Sequence, residues 1–160
     1  MQREYQLHLK WVLGKDDCGD SSSLLLSNAV HPQKPVPNLQ LPKMYSPQML
    51  DHFQNPRNAG RIENADAEVQ IENPACGDVL ELTAKAAEGR LREVRFRAKG
   101  CVPAMACGSA LTELLQGRTL EEARQLHRDE LIGKVGGLPE ASAHASYLAM
   151  DALKALLNKL

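Results

Sequence analysis

Two periodicities divide the chain after Met44: apolar residues recur at every second position from Glu68 to Lys99, and at every third or fourth position from Pro103 to Leu160. The first rhythm is that of half-buried strands and the second that of amphipathic helices. Val69 and Ile71 share one face of a strand over 68–73. Leu80, Leu82 and Ala84 do the same over 79–87, and Val94, Phe96 and Ala98 over 91–99, with Glu88-Gly89-Arg90 as the turn between the last two. Ahead of these strands, Ser46 as N-cap and Pro47 at the first helical position predict a short helix to about Gln54, stopped by Asn55-Pro56. Behind them, Ala104, Cys107, Gly108, Leu111, Leu114 and Leu115 mark a helix that starts at Pro103 and ends at Gly117. Thr119-Leu120-Glu121-Glu122 is a capping box for a second helix, and a third around 130–135 is closed by Gly136-Gly137. The last helix carries the longest stripe: Ala145, Leu148, Ala149, Ala152, Leu153, Leu156 and Leu160.

An α+β fold satisfies all of these elements: a small antiparallel three-stranded meander covered by helices. Residues 1–43 show no useful period, and a serine run and four prolines, Pro32, Pro35, Pro37 and Pro42, read as a disordered N-terminal extension. Because periodic structure begins right after Met44, that methionine is expected to be the natural start, with the domain spanning 44–160. Cys18-Gly19-Asp20 echoes Cys76-Gly77-Asp78, and we read the echo as chance.

Composition narrows the function. With 160 residues and 43% hydrophobic content, one compact domain is expected. A formal net charge of −1 supplies no field to draw the protein onto nucleic acid or an anionic membrane. Its apolar runs are too short for a membrane span or a signal-peptide core, so a cytoplasmic protein is expected. In that reducing compartment four cysteines read as thiols or metal ligands rather than disulfides.

The candidate chemistry lies at the ends of the strands. Counted outward from Gly89, Cys76 and Cys101 fall nearly symmetrically on the two arms of the hairpin, which would make them cross-strand neighbours able to share a metal. Asp78, two residues past Cys76, falls on the same side of an extended segment and is a further ligand, or else a turn cap. Gly77 and Gly100 leave space beside both thiols, for a cluster or for a partner's loop. His144, in the first turn of the last helix, is an exposed histidine if taken alone and a ligand in the company of the others. Cys107 has two readings: its place on an apolar stripe suits a core residue, yet one turn into the helix it could swing towards Cys101 and complete a ligand set. Thiolate, carboxylate and imidazole are ligands for iron or zinc. No motif for a general base or an oxyanion site accompanies them, so a binding function is expected rather than catalysis.

From about Met44 to Leu160 the chain resembles the NifU N-terminal (IscU-type) iron–sulfur cluster assembly scaffolds. The resemblance rests on Tyr45-Ser46-Pro47, Asn55-Pro56-Arg57-Asn58, Asn73-Pro74-Ala75-Cys76-Gly77-Asp78, Gly100-Cys101, and His144-Ala145-Ser146-Tyr147-Leu148-Ala149-Met150-Asp151-Ala152-Leu153-Lys154. It implies iron and a transient [2Fe–2S] cluster as cargo, held by Cys76, Asp78, Cys101 and His144 with Cys107 or a partner's thiol. The implied partners are a cysteine desulfurase and recipient apo iron–sulfur proteins, and a homodimer is compatible with the pattern. Two departures stand out. Ala145 occupies the position of the family's third cysteine, where sulfur arrives. Leu138-Pro139-Glu140-Ala141-Ser142 lacks the Pro-Val-Lys ending of the loop that a dedicated chaperone binds in the relatives that use one. The alternatives to a scaffold are a zinc-bound sulfur acceptor for a desulfurase, and a degenerate family member that holds no metal.

Overall fold

The structure is a computed structural model, and its described residues are 44–160. The expected N-terminal extension, the proposed start at Met44 and Cys18 bear on residues outside them. The chain runs through α1 (Pro47–Gln54), β1 (Ala67–Glu72), β2 (Val79–Ala87), β3 (Arg90–Lys99), α2 (Val102–Leu115), α3 (Leu120–Arg124), α4 (Arg128–Lys134), a 3₁₀ turn (Glu140–Ser142) and α5 (Ala143–Leu157). The strands form one antiparallel sheet in the order β1-β2-β3, the predicted meander. Among the described residues no helix is long and apolar enough to cross a membrane.

Local chemistry explains most boundaries. Ser46 Oγ accepts the amide of Met49 at 3.0 Å, capping α1, and its hydroxyl donates to the Val135 carbonyl, tying the helix start to the end of α4. Glu88 and Gly89, at φ 55° and 70°, make the two-residue β2–β3 turn, whose left-handed backbone matches strand twist. Thr119 and Glu122 form the expected reciprocal cap. Helix α4 begins earlier than predicted, at Arg128, because the Glu130 carboxylate reaches back to the His127 amide at 3.2 Å, a cap the apolar pattern does not mark.

The core lies between the sheet and helices α2 and α5. Leu80, Leu82, Ala84, Val94, Phe96 and Ala98 are fully buried on one face, as the alternation requires, and Leu91, out of step with them along β3, is buried as well beyond the slip in the β2–β3 register. Helix α2 packs on β3, and α5 on β1 and β2. α2 is buried almost all round, because α1 covers its far side. There His52 Nδ1 sits 3.0 Å from Ser109 Oγ, which also accepts the Arg57 amide at 2.8 Å.

A bulge sets the register. Between Lys85 and Ala86 the β2–β3 pairing slips by one residue, so the last ladder pair is Val79 with Lys99. One step further, Asp78 lies opposite Gly100, and the position opposite Cys101 is Gly77. Without the slip, the ladder that starts at Ala87 and Arg90 would pair Cys76 with Cys101 directly.

Candidate metal centre

Four side chains meet at the end of the sheet away from the Glu88–Gly89 turn, each delivered by a different local device. Cys76 rides on the loop joining β1 to β2. Asn73 and Asp78 close that loop, the Asn73 amide donating to the Asp78 carbonyl at 2.8 Å. Inside it the Ala75 amide bonds to Asn73 Oδ1 at 3.0 Å, and the Gly77 amide returns to the Asn73 carbonyl at 2.8 Å. Gly77 has φ +71° with open space around it, so the glycine serves the tight turn. The segment is therefore a turn and not the extended run anticipated, and the turn leaves Cys76 exposed.

Asp78 continues the buried row Leu82–Leu80 and is only 4% exposed. A carboxylate at a core-facing strand end needs partners. Its Oδ1 accepts the Cys101 amide at 3.1 Å, and its Oδ2 lies 3.3 Å from Cys101 Sγ and 3.6 Å from His144 Nε2. Cys101 is the N-cap of α2 in extended conformation, with its thiol half-buried and 3.8 Å from His144 Nε2. His144 reaches the site from the first turn of α5. The Cys76 thiol completes the group: single ligand atoms of Cys76, Asp78 and His144 all lie within 4.8 Å of one another.

Electrostatics mark the site as short of positive charge. Burial, and next the hydrogen bond and negative charge of Asp78, push the Cys101 thiol up to about 11, although the Ala104 amide pulls the other way. Cys76 is also raised. The amide of Asp78 acts on it most strongly and lowers it, but loss of solvent around the sulfur and the Asp78 carboxylate together outweigh that effect. Two thiols and a carboxylate converge on one imidazole, so a divalent cation would relieve their repulsion and favour the thiolates. The donor set, two sulfurs, one oxygen and one nitrogen, fits zinc or iron.

Cys107 lies in the core. It is 0% exposed within the core cluster, and burial holds its thiol at about 12. Ala145 is also buried, at 1%, on the apolar stripe of α5. Close by, Tyr147 is exposed and lies over the Arg128 guanidinium, 4.3 Å from its ring centroid, a contact no local pattern signals. Sequence reasoning also missed that Gly100 makes room for Asp78 rather than for a cluster or a partner: a side chain there would collide with the carboxylate.

Fold and site together define a small α+β domain that presents a thiol–carboxylate–imidazole pocket at one end of a three-stranded meander. The chain belongs to the NifU-like N terminal domain family, whose model matches residues 44–160. Over 111 residues it is 44% identical to the iron–sulfur cluster assembly scaffold protein IscU 1 of Archaeoglobus fulgidus, covering 69% of this chain and 72% of that one. Against the IscU scaffold protein of Escherichia coli K12 identity is 38% over 117 residues, covering 71% and 91%. Among solved structures, the N-terminal part of a NifU-like protein from Brucella abortus superposes with a TM-score of 0.50 at 21% identity, over 72% of this chain and 83% of that one. A protein from Fervidobacterium islandicum AW-1 does so with a TM-score of 0.59 at 21% identity, over 71% and 96%. These two likenesses concern the fold.

Proposed function

We propose that this chain is an iron–sulfur cluster assembly scaffold, which receives iron and sulfide as cargo at Cys76, Asp78, Cys101 and His144 and passes the cluster to recipient apo proteins. The observation that carries the reading is the convergence of these four side chains at one sheet end, in a chain whose curated relatives are scaffold proteins. A [2Fe–2S] cluster asks for four protein ligands, and these four supply them without a thiol at position 145. Sulfur would come from a cysteine desulfurase. The role is carriage rather than catalysis, and it suits an exposed Cys76 on a surface loop, from which cargo can leave.

A second reading is a zinc-bound sulfur acceptor. Compactness favours it: ligand atoms of Cys76, Asp78 and His144 lie within 4.8 Å of one another and Cys101 Sγ lies 3.3 Å from Asp78 Oδ2, a spacing that also suits a single ion. One experiment separates the two. The full chain is purified without oxygen, reconstituted with iron, sulfide and a cysteine desulfurase, and assayed for iron, zinc, sulfide and visible absorption. Iron and sulfide in equal amounts with a coloured spectrum, lost in Cys76→Ser and in Cys101→Ser, support the scaffold. Zinc without sulfide supports the acceptor, and protein free of metal and sulfide overturns both.

A further inference from the structure

We propose that Gly100 is the positioning residue of this site: lacking a side chain, it lets the Asp78 carboxylate lie across the end of the β2–β3 hairpin and present Oδ2 between Cys101 and His144. The inference rests on the metal-binding reading above and says how the pocket gets its oxygen ligand.

The two glycines beside the thiols do different things. Gly77 has a left-handed φ and open space, so its demand is conformational. Gly100 is not among the residues with positive φ, so an L-residue could adopt its backbone and its demand is spatial. A Cβ built there falls 2.4 Å from Asp78 Oδ1, 2.6 Å from its Cγ and 2.9 Å from its Cβ. Because the clash includes the Asp78 Cβ, turning the carboxylate about its side-chain torsions cannot remove all of it. The strand ends would have to part, or Asp78 would have to leave the slot.

What the slot provides is a fixed orientation. The bulge puts Asp78 opposite Gly100, and the Cys101 amide then takes Oδ1 at 3.1 Å. That leaves Oδ2 to face Cys101 Sγ at 3.3 Å and His144 Nε2 at 3.6 Å. Asp78 thus supplies one oxygen to a bound ion, aimed by the backbone before any ion arrives. Arrangements of this kind typically govern metal affinity by about 10- to 100-fold.

The test compares Gly100→Ala, Asp78→Gly and the double variant with the wild-type full chain, using anaerobic cobalt(II) titration followed by visible spectroscopy, and thermal unfolding after chelation. Gly100→Ala is expected to weaken cobalt binding by about 10- to 100-fold and to shift the ligand-field bands as Asp78→Gly does. The double variant should bind no more weakly than Asp78→Gly. In chelated protein Gly100→Ala should lower the melting temperature, and most of that loss should vanish in the Asp78→Gly background. If Gly100→Ala does not fold, recovery of a folded double variant supports the proposal and failure to recover overturns it. An unchanged cobalt affinity and spectrum in Gly100→Ala, or a full additional loss in the double variant, also overturns it. Wild-type protein that takes up no cobalt overturns the underlying metal reading instead.

Discussion

The two ends of the sheet are built on opposite principles. At the Glu88–Gly89 end, backbone groups satisfy one another: Leu91 N donates to the Arg118 carbonyl, Gly117 N to the Leu91 carbonyl and Leu120 N to the Gly89 carbonyl, each at 2.8–2.9 Å. The Thr119–Glu122 cap lies on the same end. At the other end the ladder stops at Val79 and Lys99, and side chains take over: Asp78, Cys101 and His144 bond to one another, and Cys76 stands in solvent. One end is satisfied internally and has nothing to offer. The other is left with thiols raised by burial and negative charge, a condition that a cation would resolve. Structure and metal affinity should therefore respond to different substitutions.

The largest effect on stability is expected at the closed end. Leu91→Ala empties a fully buried site and should cost about 2–5 kcal/mol by denaturant unfolding. Metal uptake by the fraction that stays folded should be unchanged, and a selective loss of metal there would break the comparison.

Alkaline pH comes next, through the thiols. The Cys107 and Cys101 thiols, ordinarily at 9.0, are pushed up to about 12 and about 11 in the fold, so the native state keeps protons that the unfolded chain releases. Their contribution is therefore fully present below about pH 9. It declines as pH rises, through about 11 for Cys101 and about 12 for Cys107. Denaturant midpoints of metal-free protein measured from pH 8 upward should fall over that window, and less steeply in Cys107→Ala.

A smaller loss, about 1 kcal/mol, is expected for Thr119→Ala, which removes the cap that supports the closed end. Calorimetry with and without metal should give the same difference. The smallest structural effect belongs to Cys76→Ser, on an exposed loop, where the change should stay within about 0.5 kcal/mol. The same substitution should abolish retention of reconstituted cluster, and a variant that keeps its cluster would remove Cys76 from the site.

The candidate residues differ in how far they could be read in advance. Cys76, Asp78, Cys101 and His144 were legible as ligand types next to strand and helix ends, and the structure brings these four together. Cys107 was not decidable, because a stripe position one turn into its helix suits either role until packing is known. Its complete burial places it among the apolar side chains of the core. The partner of Gly100 was hidden for a different reason: identifying it requires the strand register, which one slipped residue changes.

What the sequence determined by itself is therefore local: the strands, the caps of α1 and α3, the Glu88–Gly89 turn and the burial of alternate positions. Each depends on side chains a few residues apart and on the periods of 2 and 3.6. Tertiary structure alone decided the bulge at Lys85/Ala86, the contact of Asp78 with Gly100 and the burial of Cys107 in the core. These depend on how whole elements pack, and the packing of many side chains at once selects one register and one helix orientation that no short stretch of chain specifies.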